Sequence, residues 1–352
     1  MRKIKATLLV SMMSFGTFIF AQDVNVGDTS AFATMQAQEL YNAGIEKFNA
    51  KNLQGAISDF NQAIVLLPNF DKAYFNRGSI KYQLGDFKEA IVDFNKVIEL
   101  KPDSNNAYFI RGRSYQELEN IAAALKDFND AIRVDEKNAQ AYYYRGGIYF
   151  LDDKLKEAIE DYTNAIKNKP DYAYAYNDRG SAKRQLNDFV GAIADYKKAI
   201  LVDSKLPFVY NNLGSALRNK KQYDEAISNY NKAIALKDDY YIAYNNRGFA
   251  KYEKGDYDGA IADFNDAIRL KASYIFAYNN RAAAKYKLKD FKGAIEDCNK
   301  AILLDDTFGA AYLNRGIARE MLREEDKACE DWNKAASLGL KNGKSFAQQS
   351  CN

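Results

Sequence analysis

The apolar and small residues of this chain follow a pattern that repeats every 34 residues. In residues 241–274, Tyr244 and Gly248 mark a first stretch, and Ala260 and Phe264 mark a second. Steps of three and four residues define one face of an α-helix, so each unit is predicted to hold two amphipathic helices. With residue 241 as position 1, position 20 is alanine in all nine copies: Ala56, Ala90, Ala124, Ala158, Ala192, Ala226, Ala260, Ala294 and Ala328.

The residues between these stretches indicate turns and close packing. A polar turn separates the two predicted helices, often with a breaker such as Gly85, Asn187 or Gly255. Position 8 is glycine in eight copies, although glycine costs about 1 kcal/mol against alanine inside a helix. We therefore expect a neighbouring backbone to come close there, with the aromatic residue at position 24 filling the space beside it. One helix pair buries too little surface to offset about 1–2 kcal/mol of entropy per residue, so the units must stack.

Tyrosine at position 4, glycine or alanine at 8, alanine at 20 and 27, an aromatic at 24 and occasional proline at 32 resemble the tetratricopeptide repeat. The resemblance covers residues 37–342. It implies an all-α fold, a right-handed α-solenoid of nine helix–turn–helix units with the first helices on its concave face. Residues 343–352 depart from the pattern and are predicted to form the short cap that a solenoid end needs.

The N-terminal segment follows a different pattern. Three cations in the first five residues precede 15 mostly apolar residues and a small residue at Ala21. This stretch is shorter than the roughly 20 residues of a membrane span, so residues 1–21 are predicted to be a signal peptide. The Phe-Ala-Gln ending resembles signal peptides of Bacteroidetes bacteria. We expect export to the periplasm or cell envelope, with a flexible leader at residues 22–36; an uncleaved anchor is the alternative.

Cleavage would change the charge balance of the chain. The whole sequence has 50 basic and 47 acidic side chains, and residues 1–21 hold three of the basic ones and none of the acidic ones. The mature chain would be neutral and would lack any block of like charge. This argues against nucleic acid as a partner. No membrane span is predicted after cleavage.

The residue types argue against catalysis. The chain has no histidine, the commonest general base and metal ligand, and its three cysteines fit no zinc-binding spacing. We predict a non-catalytic protein without a metal or a cofactor. In an oxidising compartment a disulfide between Cys329 and Cys351 would hold the cap, three free thiols being the alternative. Cys298 occupies position 24 and is predicted to be a buried thiol.

Two recurring charged positions are predicted to form structural ion pairs between helices. The sixth copy loses both charges together, with Leu213 at position 7 and Asn229 at position 23, which favours pairing within one repeat. The first copy keeps Asp59 without an arginine, which favours a bond from Asp59 to Arg77 of the next repeat. The residues concerned are Arg77, Arg111, Arg145, Arg179, Arg247, Arg281 and Arg315 at position 7, and Asp93, Asp127, Asp161, Asp195, Asp263, Asp297 and Asp331 at position 23.

Asparagine recurs at positions 5 and 6, although it is a mediocre helix former. Its amide both donates and accepts hydrogen bonds, so a row of asparagines can pair with a peptide backbone. The run YNNLG at residues 210–214 resembles the repeats of O-linked N-acetylglucosamine transferase, which implies a concave ladder that holds an extended peptide; a bond from position 6 to an adjacent helix is the alternative. The ladder comprises Asn42, Asn76, Asn212, Asn246, Asn280 and Asn314 at position 6, with Asn211, Asn245 and Asn279 at position 5. It is interrupted at Ile110, Tyr144 and Asp178.

Position 12 gives the predicted groove aromatic ends and a basic centre. It is aromatic in five copies, including Tyr252 and Tyr286, and arginine at Arg184 and Arg218. We predict a non-catalytic interaction scaffold that binds an extended peptide or a partner protein in its concave groove. The alternative is a module for envelope polysaccharide or peptidoglycan, in which groove tyrosines stack on sugars. The sequence identifies neither the partner nor the oligomeric state.

Overall fold

The computed structural model describes residues 26–351, with side chains from residue 30 onwards. These residues form nineteen α-helices and no strand, which confirms the predicted all-α fold. The predicted signal peptide lies outside the described residues. The helices are α1 (Val26–Asn49), α2 (Leu53–Leu66), α3 (Asp71–Leu84), α4 (Phe87–Leu100), α5 (Asn105–Glu117), α6 (Ile121–Val134), α7 (Ala139–Leu151), α8 (Leu155–Asn168), α9 (Ala173–Gln185), α10 (Phe189–Val202), α11 (Pro207–Asn219), α12 (Tyr223–Leu236), α13 (Tyr241–Lys254), α14 (Tyr257–Leu270), α15 (Ile275–Lys287), α16 (Phe291–Leu304), α17 (Gly309–Met321), α18 (Glu325–Ser337) and α19 (Lys341–Ser350).

Helix α1 is longer than the sequence pattern predicts. It begins at Val26, so the prediction of a flexible leader is wrong for residues 26–36, which are helical. Alanine and methionine in this segment are strong helix formers, so a helix nucleated in the first repeat extends towards the N-terminus. Phe32 and Met35 remain exposed on it, and the extension therefore buries little apolar surface.

The described helices divide into two compact units, one ending at Glu119 and the other beginning at Asn120. In the first unit, each helix from α1 to α4 packs against the next one along the chain. In the second unit the same is true from α6 to α18, and α7, α9, α11, α13, α15 and α17 also form a row of neighbours. This order of contacts is that of the helix–turn–helix units of an α-solenoid.

Small residues allow the helices of one repeat to approach each other. In repeat seven Ala260, Phe264 and Ala267 of α14 are completely buried. A Cβ atom added at Gly248 of α13 would lie 2.8 Å from Cε1 of Phe264. The expected neighbouring backbone is therefore wrong at this glycine, because the edge of the position-24 ring occupies the space. Glycine at position 8 therefore makes room for the position-24 ring, which packs between the two helices beside the small alanines of α14.

The turn inside each repeat places position 15 in the left-handed region in all nine described copies. Gly85 and Gly255 adopt φ of 86° and 94°, as glycine does without steric cost. Seven residues other than glycine adopt φ between 56° and 63° at the same position, although a side chain there costs about 1–2 kcal/mol. The seven are Lys51, Glu119, Asp153, Asn187, Lys221, Lys289 and Arg323. The turn geometry is thus kept even where the residue type does not favour it.

Helix α19 covers the last repeat. The ring of Phe346 stacks on Trp332 with centroids 5.2 Å apart, and Gly343 is buried against Ala335. The helix begins two residues before the predicted cap of residues 343–352. A disulfide joins Cys329 of α18 to Cys351 directly after α19, with the Cα atoms 5.6 Å apart. The end of the chain is therefore held both by ring stacking and by a covalent bond.

Candidate functional site

An arginine–aspartate pair joins the two helices of a repeat. In repeat seven, Nε and Nη2 of Arg247 donate to the two carboxylate oxygens of Asp263, at 2.9 and 2.6 Å. Asp263 is only 2% exposed, so this bidentate contact neutralises a buried charge. The structure contains the same pairing within five further repeats, namely Arg77–Asp93, Arg145–Asp161, Arg179–Asp195, Arg281–Asp297 and Arg315–Asp331. For Arg111 and Asp127, which fall in different units, the pairing stays a prediction.

In the first repeat a lysine pairs with the position-23 carboxylate. Asp59 accepts a hydrogen bond from Nζ of Lys47 at 2.8 Å. The suggested bond from Asp59 to Arg77 is wrong, because Arg77 donates instead to Asp93 and, at 2.6 Å, to Oδ1 of Asn61. Lys47 stands at position 11, which the sequence analysis did not single out. Position 11 places a second cation 2.8–2.9 Å from the position-23 carboxylate in other repeats, at Lys81, Lys183, Lys251, Lys285 and Arg319.

The position-7 arginine also connects successive repeats. Nη1 of Arg247 donates at 2.7 Å to Oδ1 of Asn231, which belongs to the preceding repeat. Its guanidinium lies 5.2 Å from the ring centroid of Tyr244, so the position-4 tyrosine takes part in a cation–π contact. Because one side chain makes all these contacts, the recurring arginine and tyrosine are explained by packing. Arg247 and Tyr244 are therefore already engaged in contacts within the protein, and we do not count them among the candidate ligand-binding residues.

Repeats four and six depart from this arrangement. In repeat four, position 11 is Tyr149, so Asp161 has Arg145 as its cation, and burial raises the pKa of Asp161 above its ordinary value despite that arginine. In repeat six, Leu213 is buried with Val209 and Leu217 in an apolar cluster. The joint loss of both charges in the sixth copy thus corresponds to an apolar contact replacing an ionic one.

The predicted asparagine ladder is a chain of hydrogen bonds between neighbouring first helices of the second unit. The Nδ2 group at position 6 donates to Oδ1 at position 5 of the preceding repeat. The position-5 residues Asn177, Asn211 and Asn245 are buried, at 5–6% exposure. The four bonds are Asn212 to Asn177, Asn246 to Asn211 and Asn280 to Asn245, each 3.0 Å, and Asn314 to Asn279, 2.8 Å.

This arrangement separates the roles of the two asparagine positions. An amide side chain has two N–H donors and one carbonyl acceptor. At position 6 the bond to the adjacent helix uses one N–H, and the side chains of Asn212, Asn246, Asn280 and Asn314 remain partly exposed. The expected bond to an adjacent helix is therefore present. A second N–H remains for a ligand on each of the four, as does the carbonyl oxygen, although that of Asn246 also accepts from Nδ2 of Asn245 at 3.4 Å. Binding of a peptide there stays a prediction.

Asp178 continues the ladder although it is not an asparagine. Its Oδ2 accepts from the hydroxyl of Tyr143 at 2.8 Å, and its Oδ1 accepts from Nδ2 of Asn177 at 2.9 Å. The interruption predicted at Asp178 is therefore wrong, because a carboxylate and a tyrosine replace the pair of amides. Both hydrogen-bond donors are neutral, and burial raises the pKa of Asp178 while these two bonds oppose the shift.

In the first unit the ladder is short. Asn76 donates to the hydroxyl of Tyr41 at 2.9 Å, which repeats the contact between positions 6 and 5 with a tyrosine as acceptor. Asn42 is exposed and accepts from Gln38 of its own helix. The longest run of asparagines is therefore in the second unit. We call positions 5, 6, 9 and 12 of α7, α9, α11, α13, α15 and α17 the ladder face.

Two cavities open beside the ladder face. One of about 670 Å³ is lined by Tyr143, Tyr144, Tyr172 and Tyr174, together with polar residues that include Lys169. A smaller one of about 170 Å³ is lined by Tyr252, Tyr286, Asn314, Ile317 and neighbouring residues. The predicted aromatic residues at position 12 therefore line a recess that also contains a ladder asparagine.

Over residues 26–351 we find no group of three or more His, Cys, Asp or Glu residues that could hold a metal ion. None of the described helices combines the length and the apolar character needed to span a membrane.

Comparison with known proteins identifies the repeat. Models described as tetratricopeptide repeat match residues 71–104 and 275–308, and residues 111–163 and 153–205. A model described as TPR repeat matches residues 214–255 and 250–289. Together these matches cover more than half of the chain. No curated protein matches it.

Solved structures show the same fold. A tetratricopeptide repeat protein from Parabacteroides merdae is 19% identical, with a TM-score of 0.60 over 71% of this chain and 99% of that one. The Cut9–Hcn1 hetero-tetramer of the APC/C is 15% identical, with a TM-score of 0.58 over 90% and 76%. PilF of Pseudomonas aeruginosa is 19% identical, with a TM-score of 0.54 over 60% and 97%. This chain belongs to the tetratricopeptide-repeat family, whose fold is generally a non-catalytic scaffold for interactions between proteins.

Proposed function

We propose that this protein is an exported scaffold that binds an extended peptide segment of a partner protein along the ladder face. The observation that carries the proposal is the row formed by Asn212, Asn246, Asn280 and Asn314. Each presents the same partly used amide at the same position of four successive repeats. Bonds between helices use one N–H of each amide. Apart from the 3.4 Å contact between the carbonyl of Asn246 and Nδ2 of Asn245, the rest of the hydrogen-bonding capacity has no structural role.

The spacing of the row suits an extended chain. Packed helices lie about 8–10 Å apart, and an extended peptide advances about 3.3 Å per residue. One ladder asparagine would therefore meet about every third residue of the peptide. Contacts of this kind bind backbone amides, so they give affinity for an extended conformation, and other groups on the face must select the sequence.

The test uses a displayed library of random 12-residue peptides, selected on the immobilised mature protein. We expect the wild type to enrich peptides. Replacing Asn212, Asn246, Asn280 and Asn314 together by Ala should abolish this enrichment while the far-UV circular dichroism stays helical. Equal enrichment by the wild type and this variant would exclude the ladder as the binding element, and no enrichment by either would contradict peptide binding.

Position 5 provides the matched control. Replacing Asn177, Asn211, Asn245 and Asn279 by Ala removes the same four bonds between helices from the acceptor side and leaves the position-6 amides in place. Both variants should lose stability, because each leaves amide groups unpaired. Only the position-6 variant should lose the peptides at a temperature where both are folded. Equal loss in both would indicate that the ladder acts through stability alone.

Export is the second part of the proposal and rests on residues 1–21. The N-terminus of the protein isolated from the native envelope fraction should be Gln22. An N-terminus at Met1 would support the alternative of an uncleaved anchor. Recovery from the cytosolic fraction alone would contradict export.

A second candidate function is binding of an envelope polysaccharide. The tyrosine-lined cavity of about 670 Å³ favours it, because Tyr174 at its rim is 47% exposed and packs 5.7 Å from Phe208. A glycan array probed with the wild type and with Tyr174→Ala tests this function. Glycan binding that the substitution removes would favour it, and a blank array beside an enriched peptide library would exclude it.

A further inference from the structure

An arginine on the ladder face has no acidic partner. Arg184, at position 12 of α9, is partly buried, and its Nε atom is enclosed without a hydrogen-bond partner. Among the residues that the structure describes, no carboxylate oxygen lies within 4.0 Å of its guanidinium. Its interaction inside the protein is with the hydroxyl of Tyr196. A partly buried guanidinium that only a neutral group contacts retains most of its capacity to bind an anion.

A second arginine lies beside it in the next repeat. Arg218, at position 12 of α11, stacks on the ring of Phe249 at 4.6 Å, and its Nε is 3.5 Å from Oε2 of Glu253. This Nε is also enclosed without a hydrogen-bond partner. Burial raises the pKa of the Tyr230 hydroxyl, and the positive charges of both arginines oppose this shift. Both arginines stand at position 12 of the neighbouring helices α9 and α11, so their guanidinium groups share one neighbourhood, where Glu253 offsets one of the two positive charges.

The protein holds this neighbourhood in place with a repeated set of contacts. The hydroxyl of Tyr196 is 3.1 Å from Oγ of Ser181, and the hydroxyl of Tyr230 is 3.1 Å from Oγ of Ser215. These tyrosines occupy position 24, which is phenylalanine in four other repeats. The serines, tyrosines and arginines thus place polar groups of repeats five and six at the centre of the ladder face, beside the bond between Asn212 and Asn177.

We propose that Arg184 and Arg218 together bind the side-chain carboxylate of an aspartate or glutamate in the partner peptide. Planar guanidinium groups match a carboxylate in bidentate geometry, and both side chains are partly exposed on the ladder face, where their terminal Nη groups can meet a ligand. Glu253 beside Arg218 and Asp178 near Tyr196 already supply negative charge, so a singly charged carboxylate suits the two arginines better than a doubly charged phosphate. The inference rests on the proposed peptide binding and specifies which peptides are bound.

The experiment compares peptide libraries selected on four forms of the mature protein. These are the wild type, Arg184→Gln with Arg218→Gln, the charge reversal Arg184→Glu, and the control Arg269→Gln, whose arginine pairs with Asp266 on an exposed helix face. We expect the wild type and the control to enrich peptides that contain Asp or Glu. The double variant should lose this preference and bind the wild-type peptides at least about tenfold more weakly, the scale of a hydrogen-bonded charge. The charge reversal should enrich Lys or Arg.

The outcomes distinguish this inference from the proposed function. Peptides enriched by the wild type without an acidic preference, and bound equally by the double variant, would overturn the arginine site while peptide binding stands. Preference for phosphoserine peptides over the matching glutamate peptides would assign the site to phosphate and overturn the carboxylate. Enrichment on none of the four forms would overturn both. Circular dichroism on each variant shows that the selected protein is folded.

Discussion

Arg247 and Asp263 face each other across the two helices of repeat seven with both carboxylate oxygens engaged, at 2.9 and 2.6 Å. Lys251 stands 2.9 Å from the same carboxylate. Replacing Arg247 by Leu should therefore lower the free energy of unfolding by about 2–4 kcal/mol. The substitution leaves the buried carboxylate of Asp263 with Lys251 as its cation and with fewer hydrogen bonds. Urea denaturation followed by circular dichroism measures this cost.

Repeat six provides the control for this substitution, because Leu213 and Asn229 occupy the same two positions there. The double variant Arg247→Leu with Asp263→Asn reproduces that combination. We expect it to be at least about 1 kcal/mol more stable than Arg247→Leu alone, since the buried charge has been removed. A double variant that is less stable than the single one would show that the carboxylate has another role.

The carboxylate of Asp178 should make stability depend on pH. Burial raises its pKa above the ordinary value of 3.8. Between 3.8 and the higher pKa of the folded state, the folded protein therefore binds a proton that the unfolded chain has released. The free energy of unfolding therefore rises as the pH falls through that range, and the charged form of Asp178 destabilises the folded protein at pH 7. Asp178→Asn should raise the melting temperature at pH 7 by a few degrees, about 1 kcal/mol.

Thermal unfolding of both proteins between pH 7 and pH 3.5 checks this prediction. The advantage of Asp178→Asn should shrink as the pH falls and vanish once Asp178 is protonated in both states. A difference that is independent of pH would mean that the substitution acts through packing. The exposed Asp188→Asn is a control, because an amide oxygen accepts the same N-cap bond from Gly191, and this variant should leave stability at pH 7 nearly unchanged.

The glycine at position 8 should be required for its size. Gly248→Ala places a methyl group 2.8 Å from Cε1 of the buried Phe264, and we expect a loss of about 1–3 kcal/mol despite the better helix propensity of alanine. In Gly147→Ala the nearest atom is the hydroxyl of Tyr162 at 4.0 Å, so this helical glycine should gain up to about 1 kcal/mol. Chemical denaturation of the two variants should give opposite signs, and equal signs would refute the steric explanation.

The disulfide between Cys329 and Cys351 should hold the C-terminal helix. The intact mass of the unreduced protein should be about 2 Da lower than that of the reduced protein, because one disulfide replaces two S–H hydrogens. Replacing both cysteines by Ser should cost about 3 kcal/mol in the chain-entropy model, for a sequence separation of 22. Hydrogen exchange should show the loss in α19 first, and unchanged protection there would contradict the role.

Cys298 should be chemically silent in the folded protein. Burial raises the pKa of its thiol to about 12, so almost no thiolate exists at neutral pH. Alkylation by iodoacetamide at pH 7.5 should modify it only after denaturation. Rapid alkylation of the native protein would show that α16 opens readily, because the thiol is completely buried.

The fold could be predicted almost entirely from the sequence because a period of 34 residues repeats nine times. Burial of Ala260 and Phe264 follows from their place on one helix face, and that relationship is local. The predicted leader was wrong because helix propagation from residue 37 towards Val26 depends on a nucleus that composition alone does not show.

The candidate site was predictable in part. The asparagines stood out because they are poor helix formers, but their hydrogen bonds could not be assigned. Asn246 and Asn211 are 35 residues apart, one more than the repeat, and only the packing of first helices brings them together. The cation at Lys251 was missed because position 11 varies between lysine, arginine, tyrosine and leucine. Arg184 was noticed for its type, whereas its lack of an acidic partner required the structure.

Helix α19 covers the face on which a further repeat would stack. Each repeat offers the next one a face that accepts a first helix, and Trp332 belongs to the last such face, which Phe346 covers. If that face were open, it would fit the first helix of a second copy, and head-to-tail contacts of this kind do not close but grow into fibres. We therefore expect the ten residues of α19 to act as a stop against polymerisation. In an oxidising compartment the bond to Cys351 would then keep this face covered.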